Sequence, residues 1–340
     1  MATRGPKPIG QIFDAEQPQL EPSAGSRAFA EQMISDLRSK AEAAEKSGRK
    51  DQDDRSAAAT PPKKETGKRL RQLGSDLQPR FPIWPQDKRG ISNDMARSAL
   101  FTVRYTEKRQ HFKGQRITSF SNVEILYTGE ELRQRDEDVL LQLLHYGRLS
   151  PAGEPIEFVA NDFIKQLGWT INSRSYVELC QSIERMKASS LHIMRKEGDV
   201  VQGFAGSIIR SFEYQSRGNG LTSAWRVVFE PRIVRLFSPL NYTQIDWGQR
   251  LSLPPLAKWL HTFYYTHQRP YPMKVAALQS LCGTSVTETW RFRAGLKKAL
   301  ALLETAGFLL SWRIEEGSDL VHVQRNIPGL RAQGSEPATA

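Results

Sequence analysis

Trp290, Arg291, Lys297 and Lys298 carry the chemistry that recognition of a polyanion requires: fixed positive charge, bidentate donors and one large aromatic face. At about 100° per residue, Thr287, Arg291, Ala294 and Lys298 fall on one stripe of a helix, with Trp290 and Lys297 on its flank. An arginine near a helix start suits guanine O6 and N7 in a major groove, and lysines one or two turns later suit phosphates. An earlier helix repeats the pattern, with Arg174, Glu178, Gln181 and Arg185 at the same i, i+4, i+7, i+11 spacing and Asn172 and Ser173 at its start. Arg195 and Lys196 stand at the end of a predicted strand, where a wing would turn toward a backbone or a minor groove. Each stripe also fits a solvated helix face, and each tryptophan, Trp169 as well as Trp290, also fits packing beside a helix start.

Covalent chemistry finds little support. No G-x-x-x-x-G-K-[ST] phosphate loop occurs, and none of the six histidines forms a His-x-His pair beside a nucleophilic tyrosine. His261 and His267 flank Tyr264 and Tyr265, but on a predicted helix, where packing accounts for them. The two cysteines, Cys180 and Cys282, have no metal-ligand spacing and read as small buried residues. No enzyme activity, metal or cofactor is expected.

The elements that must position these residues are legible in the apolar pattern. Phe292, Leu296, Ala299, Leu300 and Leu303 form the inward stripe of the later helix, and Ser285 with Glu288 has capping-box spacing that would start it. A short helix and a glycine-bounded turn precede it, and the hairpin-like FLLSWRIEEGSDLVHV follows. Sliding the chain by 115 residues places Phe158 on Met273, Phe163 on Leu278, Leu167 on Cys282 and Gly168 on Gly283. With two more residues in the turn, Leu179 meets Leu296, Ile183 meets Leu300 and Met186 meets Leu303. The expected fold is α+β, two tandem winged helix-turn-helix domains behind a disordered N-terminal arm. Two such readers on one chain can enter successive major grooves roughly 34 Å apart, so the site need not be palindromic.

The expected limits are a largely disordered arm over 1–90, a first winged-helix domain over 91–236, a second over 237–328 and a disordered tail over 329–340. Proline, alanine and opposed charges dominate the arm, which cannot bury enough apolar area to offset ordering. One stretch within it, SRAFAEQMISDLRSKAEAA, has the spacing of a short amphipathic helix. DEDVLLQLLHYGRL predicts a helix with Val139, Leu140, Leu143, Leu144 and Leu149 inward, and three strand-like runs follow the first reader, with Arg217 beside Gly218 and Gly220. A net charge of +11 favours a nucleic-acid partner, with an anionic membrane surface second. No apolar run approaches the ~20 residues of a membrane span and no signal core opens the chain, so a cytoplasmic location is expected.

Several strings resemble the TrfA family of replication initiators from broad-host-range IncP-type plasmids: NDMARSALF at 93–101, YTGEEL at 127–132, LGWTINSRSY at 167–176, RPYPMK at 269–274 and LCGTS at 281–285. The similarity extends over about residues 80–325. It implies monomers that bind repeated sequences (iterons) in double-stranded DNA at a plasmid origin through two winged-helix domains and promote origin opening and host helicase loading. Host DnaA and the DnaB helicase are implied partners, as is a homodimer that binds origins poorly and limits copy number. The family's clamp-binding peptide is of Gln-Leu-polar-Leu-Phe type, whereas residues 72–77 read QLGSDL, so the resemblance does not extend to the sliding clamp. A transcriptional repressor built on the same readers, or a strand-nicking replication enzyme, are the alternatives.

Overall fold

The computed structural model describes residues 80–120, 123–197, 200–215, 224–238 and 240–327. The amphipathic stretch in the arm, the QLGSDL peptide, Arg217 and the C-terminal tail lie outside these residues. The described fold starts earlier than the expected limit of 91. Phe81 and Trp84 are buried and Gly90 lies flat against the Trp84 ring, because an aromatic-rich FPIW run supplies apolar area to bury.

β1 (Lys88–Ser92) leads into a one-turn α1 (Asn93–Ala96) and β2 (Phe101–Thr102), followed by β3 (His111–Ile117), β4 (Val123–Glu130), β5 (Leu132–Arg133) and α2 (Gln134–Gly147). The first helix-turn-helix comprises β6 (Ile156–Val159), α3 (Ala160–Gln166) and α4 (Ser173–Ala188). Four strands come next: β7 (Ser190–Glu197), β8 (Val200–Gly206), β9 (Ile209–Gln215) and β10 (Ala224–Phe229). A 3-10 stretch, Pro231–Phe237, leads to β11 (Tyr242–Asp246), α5 (Trp247–Leu251) and α6 (Pro255–Tyr265). The second helix-turn-helix is β12 (Met273–Lys274), α7 (Val275–Leu281) and α8 (Thr289–Thr305), closed by β13 (Leu309–Ile314) and β14 (Leu320–Arg325).

The internal repeat is visible in element positions, since α3 and α7 begin and end 115 residues apart. Both turns place a glycine in the left-handed region at the equivalent point, Gly168 at φ 69° and Gly283 at φ 62°. That conformation costs a residue with a Cβ about 1–2 kcal/mol, which is why glycine ends each short helix. The inward stripes match as well. Leu179, Cys180, Ile183 and Met186 are buried on α4, and Phe292, Leu296, Ala299, Leu300 and Leu303 on α8, whereas Tyr176 is only half-buried. α2 buries Val139, Leu140, Leu143 and Leu144, but it ends at Gly147 and leaves Leu149 61% exposed.

Sheet pairing revises the wing of the first unit. β12 pairs with β14 and β14 with β13; in the same order β6 pairs with β10 and β10 with β9. By pairing, the counterpart of the β13–β14 hairpin is therefore β9–β10. β7 and β8, which come first in sequence, join β3 and β4 in a separate four-stranded antiparallel sheet. Arg195 and Lys196 thus lie on that sheet and not on the wing paired with β6.

Nor does the chain part cleanly at 236/237. β1 pairs along its whole length with β11, from Lys88 opposite Asp246 to Ser92 opposite Tyr242. Arg250, fully buried on α5, reaches back to α2 and donates to Asp138 at 2.7 Å, Glu137 at 3.1 Å and Gln134 at 3.2 Å. Lys258 on α6 pairs with the other oxygen of Asp138 at 2.5 Å. Periodicity reveals helices but not these partners more than a hundred residues away, which tie the two expected domains to each other.

Candidate nucleic-acid interface

α8 presents a cationic face to solvent. Its apolar stripe packs on α6 and α7, which turns Trp290, Arg291, Ala294, Lys297 and Lys298 outward, all of them exposed. Trp290 is 68% exposed, too much for a packing residue, and the Arg291 guanidinium lies 5.4 Å from its ring centre. Arg291 also faces Glu288 at 3.9 Å, a spacing at which an exposed pair contributes little and yields readily to a stronger anion. Hydrogen bonding to its own backbone N–H, with the Thr287 hydroxyl adding to it, holds the Glu288 carboxyl below its usual range. Glu288 therefore stays ionised and offsets part of the field of Arg291.

The helix begins later than capping-box spacing suggests. Glu288 is the N-cap, makes no side-chain cap bond, and receives the first helical bond from Phe292 N–H at 3.0 Å. Ser285 and Thr287 belong to the turn, where Thr284 Oγ1 accepts from Val286 N–H at 3.1 Å. The Gln279 amide fixes that turn by donating to the carbonyls of Val286 at 2.9 Å and Thr287 at 3.2 Å. A serine or threonine that bonds two residues ahead competes with the helix, and here it displaces the start by a turn.

The first unit is more covered than its sequence pattern suggests. Asn172 caps α4 through its side-chain oxygen, which accepts from Ser175 N–H at 2.9 Å, while Ser173 and Arg174 are exposed and Arg174 has no ion-pair partner among the described residues. Further along, the face closes. Arg135 lies over the half-buried Trp169 ring at 4.1 Å and donates to Glu178 at 2.8 Å, and Gln181 is half-buried. Arg185 is 8% exposed and donates to Asp136 at 2.6 Å and 3.1 Å, which makes it a buried ion pair and takes it off the solvent-facing stripe. Asp136 itself is wholly buried and accepts from Ser182 and Arg109 besides, at 2.8 Å and 2.7 Å. Burial opposes its charge, but the Arg185 and Arg109 guanidiniums prevail and hold its carboxyl below the ordinary range.

Arg195 is likewise engaged, bridging both oxygens of Asp94 at 2.6 Å and 2.7 Å, while Lys196 is exposed. His261 and Tyr264 are core residues, 0% and 1% exposed, and burial pushes the imidazole far below its ordinary pKa. One further basic run lies outside both helices, 104–116, where five of thirteen residues are Arg or Lys against a single Glu. Charge density was its signal, and no helical period framed it.

The model of the TrfA protein family matches residues 40–325, most of the chain. The chain belongs to the TrfA family. A curated TrfA relative, the plasmid replication initiator protein TrfA of Escherichia coli, is 31% identical over 245 residues; the match covers 71% of this chain and 63% of that protein, just under two thirds of the relative's length. Among solved structures, domains 2 and 3 of RctB align with this TrfA-family chain at a TM-score of 0.49 and 13% identity, over 69% of this chain and 98% of that one. A second RctB domain 2–3 structure aligns at 0.43 and 15% identity, over 66% and 92%. Among the described residues no helix is long and apolar enough to cross a membrane.

Proposed function

We propose that this protein initiates replication of a plasmid by binding repeated duplex sites at its origin, without a covalent step. The observation that carries this reading is the solvent-facing cationic side of α8, set behind a hydrogen-bonded turn whose counterpart recurs 115 residues earlier. Arg291 reads base edges in a major groove; Lys297 and Lys298 neutralise phosphates and set the register. The first unit contributes through the open start of α4, residues 172–174, with the half-buried Gln181 at the edge of that surface, while Arg185 holds the fold through Asp136. Lys196 and the hydroxyls of Ser285 and Thr287 meet the backbone. Membership of the TrfA family supports origin binding as the setting, with opening driven by binding energy accumulated over adjacent monomers. DnaA, the DnaB helicase and a copy-limiting homodimer enter the proposal on the same ground.

The test is a footprint of the full chain on its own plasmid's origin, paired with transformation by a replicon that depends on it. Protection of adjacent repeats, and loss of transformants with the Arg291→Ala variant, is the expected result. Protection confined to a promoter, with replication intact in the variant, would make the protein a repressor instead.

A further inference from the structure

The basic run missed by periodicity contains a loop that is built onto the turn of the second helix-turn-helix. Val103 N–H donates to the Cys282 carbonyl at 3.1 Å, and Arg104 Nε donates to the Gly283 carbonyl at 3.3 Å. Thr102 fills the space above Gly283, where a Cβ would come within 2.9 Å of it. The chain leaves this anchor as Tyr105, 75% exposed, and continues through Thr106, Glu107 and Lys108, all exposed.

That exposed loop is nonetheless fixed from below. Glu131, fully buried, accepts from Thr102 at 3.0 Å and from Arg133 at 2.9 Å and 3.0 Å, and pairs with Arg104 at 3.4 Å. Arg133 in turn donates to the Thr106 carbonyl at 2.8 Å, the Thr106 hydroxyl at 3.0 Å and the Lys108 carbonyl at 3.2 Å. A buried carboxylate thus holds two guanidiniums, and one of them holds the loop backbone. The side chains left outward, Tyr105 and Lys108, have no hydrogen-bond or ion-pair partner among the described residues.

In a helix-turn-helix seated in a groove, the residues at the start of the recognition helix lie nearest the bases. An extended residue spans about 3.5 Å, so Tyr105 stands one step from an atom bonded to the turn that starts α8. We infer that the loop 104–108, carried by the Glu131–Arg133 support, is a further duplex contact that grips the phosphate backbone flanking the groove entered by α8, with Lys108 as its cation and Tyr105 against the sugar. The inference rests on α8 being a reader. Preorganisation explains the fixed backbone: a rigid loop loses little freedom when it meets DNA. Glu107 sits in the same loop and opposes the contact, which gives the proposal a sign test.

Hydroxyl-radical footprinting of the full chain on its cognate repeat, with binding measured across salt concentrations, tests it through Lys108→Ala, Tyr105→Ala and Glu107→Gln. The first two should erase protection of the phosphates beside the α8 half of the site and leave the other half protected. Lys108→Ala should lower the salt slope by about 0.9, one phosphate contact, and Glu107→Gln should tighten binding. An unchanged footprint and slope in all three, while Arg291→Ala still removes the α8 footprint, would overturn the loop contact alone. If Arg291→Ala also leaves the footprint intact, it is the reader itself that fails. Normal duplex binding with weakened single-strand binding in Tyr105→Ala would overturn the proposal in favour of a stacking platform for melted bases.

Discussion

Two arginines that lie on the outer stripes of the two helices in sequence have opposite roles in the fold. Arg291 is solvent-facing and shares an exposed pair with Glu288; Arg185 is buried on Asp136. Replacing Arg291 by alanine should cost about 1–3 kcal/mol on the cognate repeat, relax discrimination at one base position and leave urea unfolding unchanged. Arg185→Ala should do the reverse, costing about 3–5 kcal/mol in urea because a buried carboxylate loses its partner, with the salt slope of DNA binding unchanged in the folded fraction. The helical period located both residues, but exposure depends on a partner helix that no local pattern contains. His145 gives a pH signature. It accepts from Trp84 Nε1 at 3.1 Å and is pushed from 6.5 down to about 3, by burial first and by Arg89 and Arg148 next. Between those pH values the unfolded chain binds a proton that the folded chain refuses, so stability is lost as pH falls below about 6.5. His145→Gln should flatten that acid limb in urea titrations at pH 7 and pH 5; an equally steep limb would place the loss elsewhere.

The repeated helix-turn-helix was written in the chain because its determinants are local: an apolar stripe, a short helix and a glycine that ends it. Gly168 and Gly283 share a left-handed φ, but their surroundings differ. A Cβ at Gly168 would meet only Leu251 at 3.8 Å, whereas at Gly283 it would meet Thr102 at 2.9 Å and Ala99 at 3.2 Å. Gly168→Ala should therefore cost only the backbone term, about 1–2 kcal/mol. Gly283→Ala should cost more and should also weaken DNA binding, since the turn carries the start of α8; equal losses in urea would refute the difference. The wing of the first unit was not legible. Strand order in sequence runs β7, β8, β9, β10, and only the pairing shows that β9 and β10 flank β6 while the other two serve a different sheet. The late start of α8 was hidden for a similar reason, because Thr284 and Gln279 secure the turn by bonds that S-x-x-E spacing does not encode.

The two helix-turn-helix units share one framework. β1 pairs with β11, and Arg250 with Lys258 ties α5 and α6 to the acidic start of α2, whose Asp136 holds the first reader through Arg185. A fragment holding only residues 237–328 lacks β1 and leaves Arg250 without its carboxylates, so it should fail to fold cooperatively. A sharp, chain-length-appropriate unfolding transition of that fragment by circular dichroism would show the halves to be separable after all. Composition and charge pointed to a polyanion partner, and the repeat pointed to two readers, yet neither showed that strand pairing and buried ion pairs join the two units or that the first is largely covered. Under the function proposed above, a lone chain would hold neighbouring turns of duplex with one full-length reader and one that uses only its helix start. A hydroxyl-radical footprint of the monomer on a single repeat is the most direct measurement. The expected pattern is two unequal protected patches about 10 base pairs apart, of which Arg291→Ala removes only the stronger. A single patch, or a symmetric pattern that appears only when two chains bind, would contradict it.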